Sequence, residues 1–203
     1  REDPSLPRVA INLLYRAGSR DDPPGRSGFA HLFEHLMFMG TKRAPGNAFD
    51  MLMEGHGGAN NAYTSDDYTD YYAAGPSELL PTLLWLDADR LEDLARAMDQ
   101  AKLDRQREVV LNERRQSYED APYGRVFLEL PGLLFPPGHP YHRPGIGDPA
   151  ELHAAGLDDV RDFFADYYTA SNVSLAVVGD FDAAAVRPLV ERWFGSLPGG
   201  RAP

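Results

Sequence analysis

Residues 28–40 read GFAHLFEHLMFMG, and this run constrains the chain more than any other. Its Phe, Leu and Met demand burial, yet His31, Glu34 and His35 stand among them within five positions. On a helix, positions i and i+4 lie on one face about one turn apart. His31 and His35 can therefore aim both imidazoles at a single ion. Glu34 is one residue off that line, close enough to reach a water on the ion but poorly placed to join the pair as a ligand. Zinc suits such a site, because it accepts imidazole nitrogens and keeps an open position for water where it is catalytic. Water on zinc has a pKa near roughly 7, and a carboxylate can take its proton at neutral pH. The alternative is two core histidines and a buried glutamate, each satisfied by hydrogen bonds. An isolated carboxylate among apolar side chains costs on the order of several kcal/mol unless it is neutralised or paired. A divalent cation removes that objection for all three groups at once.

Two histidines leave a coordination position to fill. The other four histidines, His56, His139, His142 and His153, fall in turns, in a Pro-rich loop or near a helix start. A better source is LDRQREVVLNERRQSYED, residues 103–120. Its Leu103, Gln106, Val110 and Glu113 recur at i, i+3, i+7 and i+10, one helical stripe. Glu113 lies in line with apolar residues, whereas Glu108 and Arg115 share a different, charged face. A glutamate on a core-facing stripe needs a partner, and the partner is either the ion or an arginine.

Along the rest of the chain, RVAINLLYR (8–16) alternates as a strand does, and AGSRDDPPGRSG is a loop from which Ser27 is placed to cap the helix of the opening run. NAFDMLMEGHGG is a second helical segment ending on glycines. ANNAYTS and YTDYYAAG read as a hairpin or two neighbouring strands across a turn-like Asp pair. Residues 77–98 and 99–120 read as two longer helices, and APYGRVFLELPGLLF as a helix stopped near Pro131. PPGHPYHRPGIGDP is a loop. A helix over LDDVRDFFADYY, a strand over NVSLAVVG and a helix bent at Pro188 follow, with PGGRAP as the start of a linker. Strands, then helices, then a strand and a helix again predict an α+β layer fold.

Composition adds exclusions. A length of 203 residues is most simply one domain with a sizeable core. A net charge of −11 argues against nucleic-acid binding, which calls for a basic face. Such a charge suits basic peptides or general solubility. Without cysteine there is neither a disulfide framework nor a thiolate metal site. No apolar run is long enough for a transmembrane helix. The opening REDPSLPRV has no initiator Met and no apolar signal core, and reads as a trimmed piece whose targeting peptide is already gone.

These features together resemble the M16 metallopeptidase family, the group of insulysin, pitrilysin and the mitochondrial processing peptidases. The His31–Glu34–His35 spacing matches the inverted zinc-protease signature. The likeness covers nearly the whole chain. RAGSRDDPPGRSGFAHLFEHLMFMGT is similar to the family's strand, loop and zinc helix, and GGANNAYTSDDYTDYY to the turn and strand that follow. REVVLNERRQ is similar to the distal helix that completes the zinc site, and HPYHRPGIGDPAEL to a further family loop. The resemblance implies His31, His35 and Glu113 as zinc ligands and Glu34 as general base. It implies a LuxS/MPP-like metallohydrolase domain, a mainly antiparallel sheet with helices on one face. A complete enzyme of this kind repeats the unit at least once, in the same chain or in a partner subunit. Substrate peptides in the family add as a strand to a sheet edge, here NNAYT, with Asn61 and Ala62 the implied contacts. One departure is Gln106, where many members carry a second glutamate.

The expectation is therefore a zinc-dependent endopeptidase domain spanning residues 1–203, from a periplasmic or secreted bacterial protein. Its rivals are a non-catalytic M16-like assembly subunit and a metal hydrolase acting on something other than peptides. Four tyrosines, Tyr63, Tyr68, Tyr71 and Tyr72, either line the groove or reflect strand propensity, and propensity is the simpler account.

Overall fold

The computed structural model describes residues 1–200. Four strands form one antiparallel sheet: β1 (Arg8–Tyr15), β2 (Ala59–Thr64), β3 (Thr69–Pro76) and β4 (Val173–Gly179), in the order β2-β3-β1-β4. The alternation in β1 has the predicted consequence. Val9, Ile11, Leu13 and Tyr15 are buried, while Arg8 and Ala10 on the other face are exposed. The register opposes Leu13 to Tyr71 on β3 and to Leu175 on β4, which sets one apolar face across the strands.

Helices α1 (Phe29–Leu36), α3 (Leu80–Ala97) and α7 (Leu157–Tyr167) supply the apolar side chains of the same core. Phe29, Leu32, Phe33 and Leu36 of α1 are each buried to within 1%. The ring of Phe33 packs 4.3 Å from Tyr168, which stacks at 4.3 Å on Tyr15 of the central strand. A side chain of this size contributes about 1.5–3 kcal/mol when fully buried, so α1 is anchored by its apolar positions. The sheet with helices against one face is the architecture expected from the element order.

Helix α4 (Gln100–Arg114) begins on Asp99, whose carboxylate accepts from Lys102 N at 2.8 Å, and packs beside α1. The buried Leu103 and Val110 hold the predicted stripe toward the core, while Glu108 and Arg115 are exposed. The Arg107 guanidinium donates to Leu152 O at 2.9 Å and Ala155 O at 2.6 Å, tying α4 to α6 (Pro149–Ala154). Helices α2 (Ala48–Gly55), α5 (Arg125–Leu134) and α8 (Ala183–Phe194) complete the set among the described residues.

Several sequence expectations are corrected. The helix read over 99–120 leaves α geometry after Arg114 and finishes as a single π turn, Arg115–Glu119. Helix α5 runs through Pro131 instead of stopping there. The hydrogen bond that Pro131 cannot make would have gone to Phe127, and Phe127 is 64% exposed, so water can take up the freed carbonyl. Ser27 does not cap α1. The cap position is Gly28, in the left-handed region at φ 80°, where a Cβ would lie 2.6 Å from the Gly147 backbone. Asp22 does the capping from a distance, accepting from Gly28 N at 2.7 Å and Ala30 N at 2.8 Å. The short α6 went unnoticed inside a Pro-rich segment, although Asp148 before Pro149 is a strong helix start. Residues 201–203 of the linker-like tail lie outside the described residues.

Candidate metal centre

Helix α1 presents His31 and His35 at the border of its buried face, their ring centroids 4.8 Å apart and nearly perpendicular. Glu113, at the C-terminal end of α4, meets both. Its Oε1 is 3.7 Å from His31 Nε2 and its Oε2 is 3.3 Å from His35 Nε2. One donor atom from each of the three lies within 4.8 Å of the others, and among the described residues no other His, Cys, Asp or Glu group of three or more does this.

These residues fit a tetrahedral cation. Ligand atoms at about 2.1 Å from zinc stand roughly 3.4 Å from one another, and each imidazole Nε2 has one Glu113 oxygen near that distance, 3.7 Å for His31 and 3.3 Å for His35. The ring of His31 carries the same message. Its Nδ1 is buried without a hydrogen-bond partner, and its Nε2 is too far from Glu113 for a hydrogen bond. Nε2, which faces Glu113 without bonding to it, is the nitrogen whose lone pair is free, and Nδ1 would then carry the proton of the neutral ring. Burial, and then the neighbouring His35, push His31 down to about 4, which keeps it neutral and able to donate to a metal. The contact with His35 holds the Glu113 carboxyl below its usual value, against the opposing effect of burial.

Glu34 is only 8% exposed, and Thr64 Oγ1 donates to its Oε2 at 2.5 Å. Burial raises its carboxyl above the ordinary value, opposed by Thr64 and by His35. A carboxylate moved toward neutrality is better matched to taking and returning a proton near pH 7 than an ordinary one.

The three histidine–glutamate partners and Glu34 line a cleft of about 610 Å³. Strand β2 supplies another wall, with Asn61, Ala62 and Tyr63. Asn61 is exposed and its Oδ1 accepts from Ala62 N at 2.9 Å. Both residues implied as peptide contacts are therefore beside the histidines. Of the four tyrosines, Tyr63 is 46% exposed and lines the cleft, whereas Tyr71 is buried and neither Tyr68 nor Tyr72 lines it. Gln106 joins Glu34, His35 and Asn61 around a smaller hollow of about 280 Å³, and its amide donates to Met39 Sδ.

The other histidines are elsewhere. His56 Nδ1 contacts Leu52 O at 2.8 Å, and His142 Nδ1 contacts Phe135 O at 2.7 Å. Sequence reasoning missed Thr64 and Asp22. The inward position of Thr64 in an alternating strand was a usable signal, whereas the partnership of Asp22 with Gly28 needed the loop's path.

Comparison with known proteins gives the family. The model of insulinase, peptidase family M16, matches residues 1–132, and that of the M16 inactive domain matches residues 155–203. The chain belongs to peptidase family M16. It is 33% identical over 189 residues to the zinc protease PqqE of Helicobacter pylori, covering 93% of this chain and 42% of that protein. A solved protease from Helicobacter pylori superposes with a TM-score of 0.91 at 30% identity, covering 100% of this chain and 48% of the other. The first half of the periplasmic protease PqqL from Escherichia coli gives a TM-score of 0.84 at 26% identity, covering 98% and 43%. The chain thus spans somewhat under half the length of these relatives. Among the described residues no helix is long and apolar enough to cross a membrane.

Proposed function

We propose that residues 1–203 are the catalytic N-terminal M16 domain of a zinc-dependent endopeptidase. The observation that carries this reading is the convergence of His31, His35 and Glu113 in one cleft with the buried carboxyl of Glu34. All four lie within the stretch matched by the insulinase model. His31, His35 and Glu113 would hold the ion. Zinc bound there would lower the pKa of a water and polarise a peptide carbonyl. Glu34 takes the proton of the attacking water and returns it to the leaving amine. Thr64 engages Oε2, so Oε1 is the oxygen free for that proton.

Strand β2 has β3 on one side only, which leaves its other edge for an extended peptide beside Asn61 and Ala62. Main-chain pairing of that kind gives affinity with little sequence preference. One strand edge offers one wall. Correct positioning of reactants is worth roughly 7–11 kcal/mol of barrier, and a second M16-like domain, in the same chain or in a partner, would supply the rest. The half-length match to the relatives supports that arrangement, and the periplasmic relative supports a periplasmic or secreted location. Zinc content and peptide cleavage, assayed together on this chain and on the longer gene product, test the reading. Both should bind one zinc, and the longer protein should cleave far faster. Stoichiometric zinc with no cleavage by the longer protein would favour the assembly-subunit rival.

A further inference from the structure

Thr64 is the last residue of β2, and its side chain reaches α1. Along β2, Ala62 is buried and Asn60 and Thr64 are half-buried, while Asn61 and Tyr63 are exposed. Side chains at two of the three inward positions tie the strand to helices. Asn60 Nδ2 donates to Asp50 Oδ1 of α2 at 2.7 Å, and Thr64 Oγ1 donates to Glu34 Oε2 at 2.5 Å. On its far side Thr64 is paired in register with Thr69 of β3 through the backbone. Its hydroxyl lies 3.4 Å from that of the fully buried Thr69, which donates to Ala17 O at 2.9 Å. Thr64 therefore stands between the β2–β3 strand pair and the carboxyl of Glu34.

We propose that Thr64 is a positioning residue, whose hydroxyl sets the Glu34 carboxyl at a fixed place relative to the strand that forms the cleft wall. The proposal rests on Glu34 being the general base. A buried carboxyl needs a donor from somewhere, and a donor on α1 or α4 would satisfy it equally well. Here the donor belongs to the edge strand itself, so base and cleft wall share one reference. Misplacement of a reacting group by about 1 Å can cost on the order of 10²-fold in rate.

Thr64→Val keeps the shape and removes the donor, and Thr64→Ser keeps the donor. In the zinc-loaded protein as expressed from its whole gene, Thr64→Val is expected to lower kcat about 10- to 100-fold, with KM and zinc content unchanged. Thr64→Ser should return kcat to near the wild-type value. Added to Glu34→Gln, Thr64→Val should cost nothing more. A crystal structure of Thr64→Val should find the Glu34 carboxyl in a different rotamer, a readout independent of turnover. Full kcat in Thr64→Val beside an inactive Glu34→Gln overturns the positioning role and leaves the base assignment standing. Equal loss in the Val and Ser variants, with melting lowered alike, reduces Thr64 to packing and also overturns it. A fully active Glu34→Gln removes the base assignment, and the proposal with it.

Discussion

Helices α1 and α5 are both apolar by sequence, FAHLFEHL against RVFLELPGLL, and they meet opposite fates. Phe29, Leu32, Phe33 and Leu36 of α1 are buried to within 1%, whereas Phe127, Leu133 and Leu134 of α5 are 64, 80 and 65% exposed. The difference lies in the neighbours. Helix α1 shares its core with α7 through Phe33 and Phe163, and with β1 through Phe33, Tyr168 and Tyr15, while α5 rests on the π turn Arg115–Glu119 and the Pro140–His142 turn. Burial on α1 is what makes its ionisable residues informative. Glu129 of α5 is exposed, a solvated surface group, but on α1 each ionisable residue must be answered by a partner. Apolar content therefore forecasts a helix, and only the surrounding layer decides whether its polar positions carry chemistry.

The largest expected effect is on α1. Glu34→Gln preserves the shape of the side chain and its bond with Thr64, yet cannot accept a proton. Turnover should fall about 10²–10⁴-fold with zinc retained. Loss of zinc from a folded Glu34→Gln protein would make Glu34 a ligand and reverse the assigned roles. The next effect is on stability. Phe33→Ala removes a fully buried ring from the three-ring stack and should cost about 3–5 kcal/mol in urea denaturation. A cost under about 1 kcal/mol would mean that the anchoring of α1 comes from elsewhere, and the contrast with α5 would weaken.

Much of this was legible in the sequence because the deciding signals are local and periodic. The His31–His35 pair needs only the helix repeat, and the stripe through Leu103, Val110 and Glu113 needs only a second helix. The strands announce themselves by alternation, and β1 buries every second residue as read. What escaped depends on approach between distant segments. Asp22 reaches Gly28 and Ala30 because the loop before α1 folds back, which no periodicity encodes. The run of α5 through Pro131 depends on its being exposed enough to hydrate a carbonyl, and exposure is a tertiary property. That Glu113 belongs with the histidines was suggested by the stripe and by family resemblance, but the 3.3 Å approach to His35 is a matter of how α4 packs on α1.

Asp22 offers a pH-dependent test of how α1 is held. Burial pushes its carboxyl up to about 7, against the two backbone N–H donors and the charge of Arg143. Between the unfolded value near 3.8 and that folded value, the native state binds the proton that the unfolded state has lost. Stability from this group is therefore fully present below about pH 4 and declines as pH rises toward 7, by at most about 1.4 kcal/mol per pH unit. Asp22→Asn, which cannot titrate, should flatten that limb in a series of unfolding curves from pH 4 to 8. Parallel wild-type and Asp22→Asn profiles would show that the carboxyl stays ionised in the fold.

The smallest effect belongs to α5. Leu133 is 80% exposed, so Leu133→Ser removes little area that folding had withdrawn from water. Serine is also a somewhat poorer helix former than leucine, by a few tenths of a kcal/mol. The sum should leave the stability of the 203-residue chain within about 0.5 kcal/mol of wild type. The comparison sharpens if the measurement is made at several protein concentrations. A cost above about 1 kcal/mol that grows with concentration would mean that a second copy covers the α5 face in solution, because association adds stability by mass action. A small, concentration-independent cost would leave α5 as it stands in the structure: an apolar helix whose exposed face does not stabilise the fold, beside a shorter one whose buried face does.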